Sequence, residues 1–155
     1  MTYQITGLSP EPFAHLVGAP DDVLAEAGAV RVVAATDMGW PCRVSLKDAK
    51  AGESLILVNH ISHDVATPYR SAYAIYVAES ADTAAAYTDQ TPPVFEGRPM
   101  AFRAFDADGM LRNAALALPG QADAKIRELF ESDDIAYIHA HNAAHGCFSA
   151  KVERA

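Results

Sequence analysis

Apolar residues along this chain fall mostly into short alternating or β-branched runs, with only three stretches at helical spacing. Tyr3–Leu8 alternates and predicts an opening strand. Ser9 then offers an N-cap, with Pro10 at the first helical position and Phe13, Leu16 and Val17 spaced as a short helix that Gly18 ends. A second short helix is expected from Asp21, carrying Val23, Leu24 and Ala27, and stops at Gly28. Val30–Thr36 is β-branched and predicts a buried strand, broken by Gly39-Trp40-Pro41. The polar stretch Leu46–Glu53 reads as a turn into Ser54–His60, the most strand-like run in the chain. After a polar loop over Ser62–Pro68, Ser71–Ala78 places Tyr73, Ile75 and Val77 on one face and Ala72, Ala74 and Tyr76 on the other.

Ala81–Arg98, with Pro92, Pro93 and Gly97, predicts an irregular surface excursion with one helical turn. Met100–Asp106 and Met110–Leu118 flank Asp108-Gly109, a strong hairpin signal. Gln121–Glu131 is the clearest amphipathic helix, with Ala122, Ile126, Leu129 and Phe130 on its apolar side. Ile135–Asn142 and Cys147–Glu153 close the chain as a hairpin. Seven or eight strands with about three helices and no regular βα alternation predict an α+β fold with a predominantly antiparallel sheet. No repeat, low-complexity segment or linker interrupts it, so residues 1–155 are expected to form a single domain.

Composition narrows the function classes. Half the residues are hydrophobic and 21% are charged, which suits a packed core and not disorder. A net charge of −8 argues against nucleic acid and against anionic membrane surfaces, because the summed field would repel either. No apolar run is long enough for a membrane span, and the start MTYQITGLSPEPF lacks the basic and apolar regions of a secretory signal. A cytoplasmic setting is therefore expected, with Cys42 and Cys147 as reduced thiols.

Candidate chemistry concentrates in HAHNAAHGC, His139 to Cys147. On a strand, His139 and His141 share a face with Tyr137. If the loop spans Asn142–Gly146, Cys147 lies opposite His141 and Ser149 opposite His139; another loop length moves Cys147 to the other face. The same alternation also describes a plain solvated sheet face. An HxH pair can chelate a metal, with His145 or His60 and His63 completing the set, but each known pattern lacks a residue here. Ala143 and Ala144 stand where the HxHxDH pattern needs its last two, and Ala143 where the HxHxH nucleotide hydrolases have their third histidine. No metal or other cofactor is assigned. Cys147 beside an imidazole and Asn142 has the parts of a thiol nucleophile, with a small buried hydrophobe as the plainer alternative.

A second constellation is Gly39-Trp40-Pro41-Cys42-Arg43 with Tyr69-Arg70. Arg43 and Arg70 can clamp a carboxylate or phosphate through paired N–H donors, or form ordinary surface ion pairs. Trp40 reads more readily as a core plug than as a ligand platform. Asp106-Ala107-Asp108-Gly109 is too short for a calcium loop and reads as a hairpin turn.

PCRVSLKDAKAGE (Pro41 to Glu53), LILVNH, PYRSAYAIYV, FRAFDADGM and YIHAHNAAHGCFSAKVER together resemble an uncharacterised bacterial family, domain of unknown function number 1203. The resemblance covers nearly the whole chain in order. It implies a stand-alone protein of about this length and brings no activity, cofactor or site residues. Two functional expectations follow from the residues themselves. The first is a small-molecule-binding or enzyme-like domain. Its pocket for an anionic ligand would gather Cys42, Arg43, Tyr69, Arg70 and Asn142, with His139, His141 and Cys147 as the catalytic groups. The second is a non-catalytic interaction protein forming a homo-oligomer through an apolar sheet face.

Overall fold

The computed structural model describes residues 1–155. In chain order it contains β1 (Tyr3–Thr6), α1 (Asp21–Glu26), β2 (Val30–Val33), β3 (Ser54–His63), β4 (Ser71–Ala78), β5 (Ala86–Thr88), β6 (Met100–Phe105), β7 (Leu111–Ala117), α2 (Ala122–Leu129), β8 (Tyr137–Asn142) and β9 (Phe148–Arg154). Two 3-10 turns, Glu11–Leu16 and Pro93–Phe95, complete the regular structure. Six strands form one sheet in the order β5-β1-β9-β8-β6-β7, and three form another in the order β2-β3-β4. Every pair of named strands is antiparallel, so the α+β expectation holds.

Val30–Val33 is an edge strand with Val30 and Val33 exposed, not the buried strand expected over Val30–Thr36, and two further details differ. The first expected helix is a 3-10 turn entered at Pro10, and Ser9 does not cap it as an α-helix; its hydroxyl accepts from the Glu11 N–H at 3.3 Å. A ninth strand, β5, lies in the stretch expected to be irregular, where it pairs Thr88, Tyr87 and Ala86 with Gln4, Ile5 and Thr6. Three residues carry no periodicity to read, and only the distant edge of β1 makes them a strand. The expected helical turn in the same stretch is the Pro93–Phe95 turn.

The expected apolar face of α2 is buried. Ala122, Ile126, Leu129 and Phe130 join Tyr3, Ile5, Phe102, Ile138, Ala150 and Val152 in an 18-residue hydrophobic cluster on one face of the six-stranded sheet. A second cluster of 15 residues lies on the three-stranded sheet, under the Glu11–Leu16 turn and α1, and includes Phe13, Leu16, Leu24, Ile56, Val58 and Ile75. α1 ends where the N–H of Ala29 bonds the Leu24 carbonyl at 2.8 Å and that of Gly28 bonds Ala25 at 3.0 Å. That pairing needs the left-handed conformation of Gly28 (φ 66°). No helix is long and apolar enough to cross a membrane.

The segment from Pro41 to Asp48 joins the two sheets. Cys42 bridges Tyr76 of β4 in parallel, and the Arg43 N–H bonds the Tyr76 carbonyl at 3.0 Å. On its other side the Arg43 carbonyl accepts from Leu8 at 2.7 Å, and the Val44 carbonyl accepts from Ala85 at 2.9 Å. Gly7 lets the end of β1 approach this segment, since a Cβ there would run into the Val44 carbonyl oxygen. The obstacle is backbone on both sides, so a side chain can be admitted only by separating the sheets. Gly7→Ala is therefore expected to lower unfolding free energy by about 1–3 kcal/mol, read as a lower urea midpoint at unchanged m-value.

Candidate functional site

Along β8, Ile138 and Ala140 point into the cluster under α2, so Tyr137, His139 and His141 point to the opposite face. On β6 the residues opposite those three are Phe105, Arg103 and Ala101. On β9 they are Glu153, Lys151 and Phe148. This corrects the expected register of the closing hairpin. Phe148, not Cys147, lies opposite His141, and Lys151, not Ser149, lies opposite His139. The register slips between Ala140 and His141, where Ser149 is the extra residue on β9. The loop runs one residue later than expected, from Ala143 to Cys147, and is closed by the Asn142 N–H to the Cys147 carbonyl at 3.0 Å.

The face is neither open to water nor apolar. His139 and His141 are buried, and the three-stranded sheet supplies the groups that cover them. A register shift between Ile61 and His63 lets His63, at the end of β3, reach the six-stranded sheet. Its ring lies 4.1 Å from that of Phe105 and 5.0 Å from that of His139. His63 Nδ1 bonds the Tyr69 carbonyl at 2.9 Å, and a carbonyl can only accept, so Nδ1 carries the proton. Nε2 is then the acceptor for the Tyr137 hydroxyl at 2.6 Å. By the same reasoning His141 Nδ1 donates to the Gly146 carbonyl at 2.9 Å and leaves Nε2 as a proton acceptor. Tyr73 of β4 packs edge-on against His141, ring to ring at 5.1 Å, and its hydroxyl accepts from Arg103 Nη1 at 2.6 Å.

The Tyr73 ring stands between two clefts. One, of about 330 Å³, is lined by Tyr69, Arg70, Tyr73, Arg103, His139 and His141. The other, of about 500 Å³, is lined by Arg43, Tyr73, Arg98, Asn142, His145 and Cys147, among others. The residues expected in one pocket are thus divided. Tyr69, Arg70, His139 and His141 share the smaller cleft; Arg43, Asn142 and Cys147 share the larger. Cys42 lines neither. It is buried in the second hydrophobic cluster, where its Sγ accepts from the Ala78 N–H at 3.2 Å. Arg43 and Arg70 do not form a clamp, because Arg70 lies on the surface paired with Asp64 at 2.9 Å. No imidazole hydrogen-bonds Cys147; its sulfur faces Arg43 Nη2 at 3.0 Å and Asn142 Nδ2 at 3.5 Å.

Arg103 is not among the residues expected at a site, Tyr73 was expected only as one face of its strand, Tyr137 only as a neighbour on the histidine face, and His63 only as a possible metal ligand. Arg103 had a signal: in Phe102-Arg103-Ala104 it is the one charged residue in a strand whose neighbours are buried on the far face. The place of His63 against the six-stranded sheet had no signal, because it lies beyond a bulge that no periodicity reveals. No group of three or more His, Cys, Asp or Glu side chains is arranged to hold a metal ion. Trp40 is half-buried against the second cluster, with its ring 5.5 Å from that of Tyr76. Asp106 closes the β6–β7 turn by accepting from Asp108 and Met110 at 3.0 and 2.9 Å.

A family model described as "Protein of unknown function (DUF1203)" matches residues 39–154. The chain belongs to that family. No curated protein and no solved structure matches it. The matched span holds every residue lining the two clefts and the Pro41–Asp48 bridge, while β1, α1 and β2 lie before it.

Burial dominates the electrostatics of the site. It pushes His139 down to about 3, helped by repulsion from any proton taken up on His63 or His141 and by the cations Lys151 and Arg103. Burial likewise pushes His141 down to about 4, partly offset by its bond to Gly146. Both imidazoles are neutral in the folded protein from pH 4.5 upward, whereas in the unfolded chain they bind protons below about 6.5. The unfolded state holds more protons in that interval, so stability falls as pH falls. Each imidazole contributes a slope approaching roughly 1.4 kcal/mol per pH unit. Glu79, whose pKa its hydrogen bond to Arg31 chiefly lowers to about 2, responds only below the ordinary glutamate value of about 4.5. Between pH 6.5 and 4.5 the unfolding free energy of the wild type is therefore expected to drop by on the order of 2–4 kcal/mol. His139→Phe should flatten that slope by about half, measured by urea unfolding at each pH.

Proposed function

We propose that this protein is a small-molecule-binding or enzyme-like domain that holds an anionic ligand in the cleft at Arg103. The observation that carries this reading is the state of that guanidinium. The chain has 20 acidic residues, yet none lies within ion-pair distance of Arg103, which is half-buried and hydrogen-bonded only to the Tyr73 hydroxyl. A cation withdrawn from water is normally paired. The adjoining imidazoles supply no countercharge, since His139 and His141 are neutral at physiological pH. A carboxylate or phosphate would supply it, and the guanidinium has unused N–H donors for a two-point contact.

The remaining lining suits that ligand. Tyr69 and Ser71 add groups able to hydrogen-bond it, Phe105 gives an apolar wall, and a volume of about 330 Å³ restricts it to a small molecule. His141 Nε2 is an unprotonated acceptor at the same cleft, which suits it to take a proton from a bound substrate. Succinate, inorganic phosphate and uncharged succinamide make a discriminating set of probes. The anions are expected to raise Tm at millimolar concentration while succinamide does not. Arg103→Gln should weaken anion binding at least about tenfold, or 1.4 kcal/mol. Equal shifts from succinate and succinamide, or an Arg103→Gln protein that binds unchanged, would overturn the reading.

The second reading, a homo-oligomer through an apolar sheet surface, is supported by Leu116 and Leu118 at the end of edge strand β7, 58% and 53% exposed. Light scattering that returns a monomer at micromolar concentration would exclude it.

A further inference from the structure

Cys147 ends the loop before β9 and lines the larger cleft, on the other side of Tyr73 from the proposed anion site. It is half-buried, so small reagents can reach it, and two N–H donors face its sulfur. One is Nη2 of Arg43, a guanidinium only 2% exposed that has no carboxylate partner. Its other bonds go to the Phe148 carbonyl at 2.8 Å and the Pro41 carbonyl at 2.5 Å. A guanidinium carries five N–H groups. Three are used here, and both terminal nitrogens keep one that is free. The second donor is Asn142 Nδ2, from a residue 8% exposed that lines the same cleft. Its Oδ1 is buried and has no hydrogen-bond partner.

That orphaned oxygen is an acceptor waiting for a donor, in a protein interior where such atoms are rare and costly. The sulfur that the same carboxamide reaches through Nδ2 receives hydrogen bonds and donates none. A group placed on the sulfur that carries its own O–H would satisfy Oδ1, and its oxygen would meet the free guanidinium hydrogens. A sulfenic acid has both features. We infer that Cys147 is a peroxide-sensitive modification site, at which a small hydroperoxide oxidises the thiol to a sulfenic acid held between Arg43 and Asn142.

In this step the thiol gives its proton to solvent, and the sulfur lone pair of the resulting thiolate attacks the terminal oxygen of the hydroperoxide. The S–O bond forms and the O–O bond breaks. The leaving alkoxide or hydroxide takes a proton from solvent to give an alcohol or water. Sulfur loses two electrons and the peroxide gains them. Arg43 places positive charge where the leaving oxygen becomes negative. Cys42 does not resolve the product, because it is packed in the second hydrophobic cluster and lines a different face of the Pro41–Asp48 segment. The oxidised state therefore persists until an external thiol reaches the cleft. The inference concerns a different cleft from the Arg103 site and stands whether or not an anion binds there.

The test uses the full chain with hydrogen peroxide and a cyclic 1,3-diketone trap, followed by peptide mass spectrometry. A trapped adduct is expected on Cys147 and not on Cys42, forming at least about tenfold faster than on N-acetylcysteine at the same pH. Trapping no faster than on N-acetylcysteine, or only after unfolding, overturns the inference. Asn142→Asp keeps the shape of the side chain but sets a carboxylate beside the sulfur and Arg43. It is expected to slow trapping about tenfold while circular dichroism reports an intact fold. An unchanged rate in that folded variant overturns the inference as well; should the variant not fold, the wild-type comparison decides alone.

Discussion

Arg43 is the point on which the two sheets depend. Its backbone N–H bonds β4 through Tyr76, and its carbonyl accepts from Leu8 just past β1. Its guanidinium crosses to β9 by way of the Phe148 carbonyl and folds back on Pro41. One buried residue thus contacts both sheets and the hairpin loop. A buried guanidinium is costly to desolvate, and burial pulls its pKa down despite the nearby sulfurs. Three hydrogen bonds hold it in place, and two of their acceptors are backbone carbonyls, which cannot be removed by substitution. Loss of the arginine would leave those carbonyls without their donor in the interior.

Between the sheets lies a layer of a different kind from the two hydrophobic clusters that flank it. Phe105, Tyr137, His139, His141 and Phe148 from one sheet meet His63 and Tyr73 from the other, with ring centroids mostly 4–6 Å apart. Aromatic edges and neutral imidazoles pack as apolar bodies while keeping polar tips for hydrogen bonds. The arrangement makes the layer specific, because each polar tip must find its partner. It also leaves two clefts where the partners run out, at Arg103 on one side of Tyr73 and at Asn142 on the other. Arg103, bonded only to Tyr73, and the unpartnered Asn142 Oδ1 mark these two places.

Much of the local structure was legible. The amphipathic spacing of Ala122, Ile126, Leu129 and Phe130 predicted both the existence and the buried face of α2. Asp108-Gly109 predicted the β6–β7 turn, which closes with Gly109 at φ 83°. The shared face of Tyr137, His139 and His141 also followed from alternation. What that face looks onto did not. A period of two says which residues point the same way and is silent on what lies opposite. The pairing of Cys147 with an imidazole failed for a related reason: a single bulge residue, Ser149, shifts the register of the last strand relative to the bend of its loop.

The sequence by itself determined most of the strand and helix inventory, the net negative charge, the family and the residue types from which any site must be built. These are set by local sterics, periodicity and composition, all of which act over a few residues. Only the tertiary structure decided that HAHNAAHGC is not one site. It buries the two histidines against a second sheet and turns the cysteine toward an arginine 104 residues away in sequence. Partners at that distance are chosen by how whole sheets pack and where a bulge falls. No window along the chain contains that information.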